Sequence, residues 1–471
     1  MTCPQCFERL TVRNIGSSVY WLETSNHDPR PSLAHAIEVD VAIVGAGFTG
    51  LWTAYQLLSA QPGLRVALLE GEEVGFGASG RNGGFAMTLL DMSLTHLRRN
   101  HGDSGARAAH LAVVDSIDEM GTTIASHNID CEWVHGGLLV VGTNRAQMQR
   151  VDSDYQTAQA LDLEGFELLS AAETRAQVDS PTYLGALAEE HCAVVHPAKL
   201  ANGLAAVVEQ LGATIYEHTP MSGISEHGGR LHVATHGGMV SAEQVVLATN
   251  AWASTTPWFK SKVVPLYTYI ALTEPLSDEQ WEQIGWQQRQ GIEDKRNFVH
   301  YYRRTDDGRI LWGGSDGIIY PGSKIKPRYD RGDTVFKRLD KTFRHTFPQL
   351  DNVRFSHTWG GPVAITASFM PMFGTLLEGR LHYGLGYNGH GVAPSHTGGK
   401  ILRDKVLGKT SELTDLCFVD SREASFPPDP LRWITAELTR RSLLRQDASM
   451  DAGKLTGAMD PLLLRLMKKF S

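Results

Sequence analysis

The first strong pattern along the chain is an apolar run, followed by a turn and a helical repeat. Residues 41–44 are uniformly apolar, which predicts a strand buried on both faces. Apolar residues then recur at helical spacing up to residue 58, and a second apolar strand is predicted at residues 64–69. This order of strand, helix and strand predicts the start of an α/β domain.

Three glycines, Gly45, Gly47 and Gly50, form a first glycine loop between the first strand and the helix. Their spacing permits a sharp turn, a close approach of the backbone to a pyrophosphate, and close packing of helix on strand. Glu70 ends the second strand, 20 residues beyond Gly50, where a carboxylate can accept hydrogen bonds from ribose hydroxyls. The strand, the glycine turn, the helix and Glu70 together favour a dinucleotide site over a turn without a ligand. The glycine spacing alone does not distinguish FAD from NAD.

Two further segments are rich in glycine. The second glycine loop, residues 74–85, has so many small residues that we expect its backbone to lie against a flat ligand. A flexible linker is the alternative, and it fits poorly with Arg81 and Asn82 inside the segment. The third glycine loop, residues 386–392, follows a predicted strand at 381–385 and precedes a predicted helix that ends at Val406.

The middle of the chain alternates between helical and strand patterns. Residues 94–128 and 145–161 have helical spacing, residues 136–141 have a strand pattern, and Ser170 is a good N-cap for a helix at 171–178. An α/β pattern then returns, which indicates that the first domain resumes after an insertion. Its predicted elements are a helix at 198–211 and strands at 213–217, 230–235 and 244–249.

A second domain with a largely antiparallel sheet is predicted from the next segments. Strands at 263–273, 297–303 and 309–313 are separated by turn residues, and a helix is predicted at 331–347. The predicted domains are an N-terminal arm (1–35), a discontinuous dinucleotide-binding domain (36–110, 187–260 and 361–425), a second domain (111–186 and 261–360) and a helical C-terminal tail (426–471).

Composition and charge exclude several classes of protein. The net charge of −8 argues against nucleic acid as a partner. No apolar run approaches the roughly 18 residues of a membrane span, and residues 1–14 lack an apolar signal region, so we expect a cytoplasmic protein. Residues 461–470 are able to form a membrane-surface helix, although such tails more often pack on their own protein. Cys3 and Cys6 form a lone C-x-x-C without further zinc ligands, so no metal site is predicted.

The three glycine loops and Glu70, in this order, resemble the FAD-dependent D-amino-acid oxidase and amine oxidase superfamily, and most of all its γ-glutamylputrescine oxidoreductase type. The resemblance covers about residues 18–425. It implies a fold of mixed α/β and α+β class, in which a discontinuous glutathione-reductase-like FAD-binding domain carries an antiparallel-sheet substrate domain. It also implies a cofactor site made of Gly45, Gly47, Thr49, Gly50, Glu70, Ser79, Gly80, Arg81, Asn82, Gly83, Gly84, Met221, Gly389, His390, Gly391 and Val392.

Within that site, the resemblance places the first glycine loop on the pyrophosphate, Glu70 on the ribose and Met221 at the adenine. The third glycine loop meets the pyrimidine end of the flavin, where the N-terminus of the following helix stabilises negative charge on the reduced ring.

The sequence departs from the family pattern at four positions. Val363 lies where sarcosine oxidases of the superfamily attach the flavin through cysteine, so we expect non-covalent FAD. Met87 and Ala393 replace two basic residues that hold a substrate carboxylate, which makes sarcosine and simple α-amino acids poor candidates. Leu311 replaces a lysine associated with oxygen activation, so the use of oxygen is less certain than that of FAD.

The activity implied by the resemblance is oxidation of the C–N bond of a primary or secondary amine to an imine, by hydride transfer to the flavin. Water hydrolyses the imine to an aldehyde and ammonia or an amine, and oxygen is reduced to hydrogen peroxide. Two alternatives stay open: an amine dehydrogenase that passes electrons to a quinone or carrier protein, and a flavin-binding scaffold with a dead site. The substrate is a small amine, and the residues predicted to line its pocket are Met87, Tyr267, Tyr269, Tyr302, Trp359 and Ile365.

Overall fold

Within residues 19–90 and 93–454, the part of the chain that the computed structural model describes, two sheets of eight strands each organise the fold. The strands are β1 (Ile37–Val44), β2 (Val66–Leu69), β3 (Phe85–Ala86), β4 (Leu138–Gly142), β5 (Phe166–Ser170), β6 (Gly185–Glu189), β7 (Ala193–Val194), β8 (Thr214–Tyr216), β9 (Met221–His227), β10 (Arg230–Thr235), β11 (Met239–Leu247), β12 (Val264–Thr273), β13 (Gly291–Asp294), β14 (His300–Arg304), β15 (Ile310–Gly314), β16 (Phe355–Ile365), β17 (Met372–Leu376) and β18 (Leu381–Leu385).

The α-helices alternate with these strands along the chain. They are α1 (Tyr20–Glu23), α2 (Phe48–Ala60), α3 (Leu94–Ser126), α4 (Arg145–Ala160), α5 (Ala171–Gln177), α6 (Pro197–Gln210), α7 (Asp278–Ile284), α8 (Asp333–Thr346), α9 (Pro394–Val406) and α10 (Leu431–Asp451).

The first sheet has a parallel centre, in the order β18, β11, β1, β2 and β8. β17 pairs antiparallel with β18 at one edge, and the β9–β10 hairpin pairs with the first half of β11. Val44 of β1 lies level with Leu69 of β2 and with Leu247 of β11. The residues that follow these three strands therefore meet at one edge of the sheet, where open α/β sheets bind their ligands.

The second sheet has the order β16, β12, β15, β14, β13, β4, β6 and β5, and its neighbours are antiparallel except for the β4–β13 pair. One face packs on α8, and this core includes the stacked rings of Tyr302 and Trp312. The opposite face is turned toward the second glycine loop, because Tyr301 contacts that loop at Gly83. Side chains alternate along a strand, so neighbouring tyrosines of β14 belong to opposite faces.

The predicted fold class is confirmed, and most predicted elements lie within a few residues of the observed ones. Ser170 caps α5 through a reciprocal pair of hydrogen bonds with Glu173, as its position predicted. The sequence did not predict β5, β6, β9, β13, β16 or β17. The domain boundaries stay a prediction, although α3 runs across the boundary placed at residue 110.

The predicted N-terminal arm requires a correction. Tyr20 and Trp21 of α1 are buried, and the Trp21 Nε1–H donates to the Asn82 carbonyl oxygen over 2.9 Å. Leu33 is also buried, in the core of the first sheet. The helix α1 therefore packs against the second glycine loop, because two adjacent aromatic rings gain more from burial than from exposure to water.

The predicted C-terminal tail begins as α10, which packs on the second domain. The Asp447 carboxylate accepts hydrogen bonds from the backbone N–H groups of Asn297 and Phe298, and Arg440 forms an ion pair with the buried Asp316 over 2.7 Å. The predicted helix at 461–470 and the Cys3–Cys6 pair lie outside the described residues. None of the helices between residues 19 and 454 has the length and apolar character needed to cross a membrane.

Candidate functional site

A cleft of about 340 Å³ opens where β1, β2 and β11 end. Gly45 begins the first glycine loop and has a backbone φ angle of +105°, which residues with a side chain rarely adopt. A Cβ atom on Gly45 would lie 2.7 Å from the Ala248 carbonyl oxygen, which follows β11. The first turn is therefore restricted to glycine by both its backbone angle and the closeness of the neighbouring strand.

The first turn of α2 faces this cleft. Gly47 is its N-cap residue, and a Cβ atom there would lie 2.8 Å from the Ser79 Oγ atom. Ser79 Oγ accepts a hydrogen bond from the Phe48 N–H over 2.8 Å, and the Thr49 hydroxyl donates to the Tyr387 hydroxyl over 2.9 Å. Bare backbone at the N-terminus of a helix is the arrangement that binds phosphate oxygens.

The acidic end of the cleft is built around Glu70. Its carboxylate accepts hydrogen bonds from the N–H groups of Ala46, over 2.8 Å, and Glu72, over 3.1 Å. Burial raises the pKa of Glu70, and the backbone N–H groups act in the opposite direction. Pro220 and Met221 line the same cleft. A fixed carboxylate beside an apolar wall suits the ribose and adenine of a dinucleotide.

The second glycine loop is held in shape by Asn82. Its side chain donates to the carbonyl oxygens of Ala78, over 3.1 Å, and Ser79, over 2.9 Å, and it accepts from the Gly84 N–H over 2.7 Å. The Gly83 backbone lies so close to the ring of Tyr301 that a Cβ atom would lie 2.9 Å from it. The loop therefore presents backbone, rather than side chains, between the two sheets.

Two arginines tie this loop to the second domain. Arg81 donates to the Phe76 carbonyl oxygen over 2.8 Å and forms an ion pair with Asp330 over 2.7 Å. Arg303 is fully buried and donates to the carbonyl oxygens of Gly84, over 2.9 Å, and Val195, over 2.6 Å. Both guanidinium groups thus contact the backbone beside the loop, while the buried Arg303 Nη2 has no hydrogen-bond partner within the described residues.

The third glycine loop closes the far end of the cleft, with Gly389, Gly391 and Val392 in its lining beside Val363 of β16. Asn388 holds this loop to β16, because its N–H donates to the Ala364 carbonyl oxygen and its Oδ1 accepts from the Thr366 N–H over 2.9 Å. The cleft thus combines glycine backbone, free helix N-termini and a carboxylate. This donor set fits a dinucleotide cofactor.

The chain matches the family model described as DAO, FAD dependent oxidoreductase, over residues 40–405. It belongs to this family. The γ-glutamylputrescine oxidoreductase of Escherichia coli is 32% identical over 394 residues, which cover 83% of this chain and 89% of that protein. A probable oxidoreductase, OrdL, of Haemophilus influenzae is 28% identical over 84% of this chain and 89% of that protein.

Solved structures agree on the fold. Glycine oxidase from Geobacillus kaustophilus superimposes with a TM-score of 0.65 at 21% identity, over 82% of this chain and 99% of that one. L-proline dehydrogenase from P. horikoshii gives a TM-score of 0.67 at 18% identity, over 83% of this chain and 97% of that one. The predicted family and the FAD cofactor are therefore confirmed, and the protein is an FAD-dependent oxidoreductase.

The residues predicted to bind the cofactor fall into two groups. The first group lines the cleft: Gly45, Gly47, Thr49, Glu70, Ser79, Asn82, Met221, Gly389, Gly391 and Val392. The second group does not line the cleft, and consists of Gly50, Gly80, Arg81, Gly83, Gly84 and His390. Gly50, for example, packs directly on the Gly45 carbonyl oxygen, so that it sets the distance between α2 and the first glycine loop.

Three predicted pocket tyrosines lie on the face of the second sheet that packs on α8. Tyr302 is fully buried and its hydroxyl contacts the Tyr183 hydroxyl over 2.8 Å. Tyr267 and Tyr269 belong to the same core, and Tyr269 contacts the Tyr320 hydroxyl over 2.9 Å. None of the three lines the cleft, and their assignment to the pocket wall stays a prediction. For Tyr302, strand alternation gives the physical reason, since it directs Tyr301 of the same strand toward the loop.

The other predicted pocket residues lie on the face of the second sheet that carries Tyr301, or beside it. Trp359 packs on Trp21 and donates to the Arg81 carbonyl oxygen over 2.9 Å, so it supports the second glycine loop. Ile365 is two residues along β16 from Val363 and shares its face. Met87 lines a second, smaller cavity that also holds Glu189 and Glu293.

The sequence did not single out several residues that contribute to the site. Tyr387 and Trp252 line the cleft; Tyr387 belongs to the third glycine loop, and Trp252 follows the strand that was predicted at 244–249. Glu293 and Lys295 belong to a run of charged residues that resembles an exposed loop, and no local pattern indicates that they are buried.

Proposed function

We propose that this protein oxidises the C–N bond of a primary or secondary amine to an imine, which water then hydrolyses to an aldehyde and ammonia or an amine. The observation that carries this proposal is the 32% identity with a γ-glutamylputrescine oxidoreductase across 83% of this chain. FAD supplies the acceptor for the two electrons of the oxidation when it is bound. The flavin is non-covalent, since Val363 offers no nucleophile at the cleft.

The residues of the chain then have four tasks. The first glycine loop and α2 hold the pyrophosphate, and Glu70 orients the ribose. The second glycine loop, fixed by Arg81 and Arg303, holds the flavin against the second sheet. The N-terminus of α9 supplies a positive partial charge beside the third glycine loop. The second sheet excludes water and positions the amine through the face that carries Tyr301.

We propose oxygen as the electron acceptor, so that each turnover yields one hydrogen peroxide. A dehydrogenase that uses a quinone or a carrier protein is the second candidate. It is favoured by Leu311, which is fully buried in an apolar cluster with Trp21 and Trp359 and provides no cation near the cofactor. Peroxide in a one-to-one ratio with aldehyde supports the oxidase, and fast turnover with a quinone but slow oxygen uptake supports the dehydrogenase.

The deciding experiment is an anaerobic screen of amines against the purified protein with its flavin. An amine substrate bleaches the flavin absorbance near 450 nm as about two electrons enter the cofactor, and an aldehyde appears in equal amount. Hydroxy acids serve as controls that lack a C–N bond. Bleaching by a hydroxy acid and by no amine would contradict the proposed reaction.

A further inference from the structure

A second, small cavity lies beside the second glycine loop, outside the dinucleotide cleft. It has a volume of about 50 Å³, enough for a few water molecules or one small terminal group. We call it the acidic chamber, and define it by Met87, Thr88, Asp154, Glu189, Glu293 and Lys295.

The charges of the acidic chamber do not balance. Asp154, Glu189 and Glu293 are 6%, 8% and 5% exposed. Lys295 is the chamber's one cation among the described residues, and its Nζ atom lies 2.9 Å from Asp154 but 3.8 Å from Glu293. The Glu189 carboxylate accepts a hydrogen bond from the Thr88 hydroxyl. Three carboxylates thus share one ammonium, so two negative charges are uncompensated when all four groups are ionised.

Glu293 is the least satisfied of these groups. Within the described part of the chain its carboxylate accepts no hydrogen bond, and its ion-pair contact is the long one with Lys295. The adjacent Asp294 provides a contrast, because Arg296 and His300 contact its carboxylate and hold its pKa at about 2 despite burial. Burial instead raises the pKa of Glu293. A buried carboxylate without a partner is costly unless a ligand supplies the opposite charge.

The chamber lies close to the flavin end of the cleft. Met87 follows the second glycine loop by two residues, and Glu293 pairs across the sheet with Tyr301, whose ring meets Gly83. The positive charge of Lys295 also contributes to the lowered pKa of His390 in the third glycine loop, which burial and this charge bring to about 4. The chamber therefore lies near the second and third glycine loops, which hold the flavin in the proposed function.

The carboxylates of the chamber favour a protonated amine as the ligand. An anionic site stabilises a protonated amine and so raises its pKa. The reacting amine must instead lose its proton before its carbon is oxidised, so the chamber does not suit the reacting group. A metal ion is also a poor fit, because no three of the described His, Cys, Asp and Glu side chains converge as metal ligands.

We propose that the acidic chamber binds a second, non-reacting ammonium group of the substrate, with Glu293 and Glu189 as its carboxylate partners. This inference rests on the proposed amine oxidation and narrows its substrate class to diamines and polyamines. The reacting amine then lies at the flavin while the chain between the two nitrogens spans the distance to the chamber. The ligand brings the charge that the three carboxylates lack.

The test compares α,ω-diaminoalkanes of four to eight carbons with monoamines of equal length. For the best diamine, kcat/KM exceeds that of the matched monoamine by about tenfold or more, as expected for one buried charged contact. Glu293→Gln lowers this diamine-to-monoamine ratio by about tenfold, mainly through KM, and Glu189→Gln lowers it in the same direction. Glu282→Gln, at an exposed position on α7, is the matched control and keeps the ratio.

A binding measurement separates this proposal from the proposed function. The flavin-loaded protein is titrated with the diamine under anaerobic conditions, and the heat of binding and the shift in Tm are recorded. If amines bleach the flavin but diamines have no advantage and Glu293→Gln changes nothing, the chamber proposal is wrong and the amine oxidation stands. If diamines bind in a Glu293-dependent way without bleaching the flavin, the chamber proposal stands and the reaction is wrong. If no amine bleaches the flavin and no diamine binds in a Glu293-dependent way, the amine oxidation and the chamber proposal are both wrong.

Discussion

The Ser79 hydroxyl accepts a hydrogen bond from the Phe48 N–H over 2.8 Å, which joins the second glycine loop to the first turn of α2. This bond satisfies one of the N–H groups that a helix N-terminus leaves free. Because the same hydroxyl would lie 2.8 Å from a Cβ atom on Gly47, it also closes the space above that glycine. The two glycine loops are therefore fixed to each other by the protein's own hydrogen bonds.

The Gly47→Val variant is expected to lose FAD. Its side chain would collide with the Ser79 hydroxyl and occupy the place where backbone approaches the pyrophosphate. Flavin content per protein, measured by absorbance after purification, should fall about tenfold or more. Gly223→Val is the matched control, because a Cβ atom there meets nothing within 4 Å and β9 accepts β-branched residues. A full flavin spectrum in Gly47→Val would show that the loop has only a structural role.

Denaturation is expected to release the FAD from the wild-type protein. Val363 lines the cleft, and a valine side chain forms no covalent bond to a flavin. After acid precipitation, the yellow colour should be in the supernatant, and its fluorescence should identify it as FAD. Flavin that stays with the precipitated polypeptide would contradict the non-covalent assignment.

The elements that bind the dinucleotide were predictable because their signals are local. Gly45, Gly47, Gly50 and Glu70 occur at fixed spacings within 30 residues, and each has a backbone or hydrogen-bonding reason for its identity. The α2 helix and the β1 strand follow from the period of their apolar residues. A strand such as β13 escaped prediction since its residues, Gly291–Asp294, include two acids, and only the tertiary structure buries them.

The substrate side of the site was less predictable, because it depends on which face of each strand points toward the flavin. A shift of one residue exchanges Tyr302 for Tyr301, and the sequence alone fixes no such register. Burial of Glu189 and Glu293 likewise results from the pairing of β6, β4 and β13, which are far apart in the chain. These contacts carry no signature at the level of neighbouring residues.

The Trp21→Ala variant is expected to destabilise the protein and weaken FAD binding together. Trp21 is fully buried, packs on Trp359, and donates to the Asn82 carbonyl oxygen that belongs to the second glycine loop. Loss of a buried tryptophan costs roughly 3–5 kcal/mol. Thermal unfolding and flavin titration should both report the loss, whereas Leu184→Ala, at a position 46% exposed, should change neither. An unchanged Tm in Trp21→Ala would mean that α1 is dispensable.

Stability is expected to depend on pH through Glu189. Burial raises its pKa from 4.5 to about 7; Glu293 acts in the same direction, while Thr88, Lys295 and Cys192 oppose it. The folded state therefore favours the protonated form, so this contribution to stability is present below pH 4.5 and is lost as the pH rises through 7. The nearby His110 stays neutral over this range, since burial lowers its pKa to about 4.

Glu189→Gln removes this dependence. Between pH 5 and 8 the free energy of unfolding of the wild-type protein should fall by on the order of 1–3 kcal/mol relative to that of the variant. Both proteins are compared with FAD bound and in the absence of substrate. The Tm difference between the two proteins, measured at steps across that range, reports the effect, and Glu282→Gln controls for a general change in charge. A Tm difference that does not vary with pH would contradict the raised pKa.

Amines of four or more carbons are expected to have a higher kcat/KM than sarcosine and D-alanine. An α-carboxylate beside the reacting carbon needs a cation, and the resemblance predicts Met87 and Ala393, both of which are buried, at the positions of that cation. Two of the neighbouring cations are already engaged by carboxylates: Arg81 by Asp330, and Lys295 by Asp154. Values of kcat/KM for primary or N-alkyl amines of four or more carbons should exceed those for the two amino acids by about tenfold or more. If sarcosine or D-alanine equals or exceeds the longer amines on this panel, the placement of Met87 and Ala393 at the substrate is wrong.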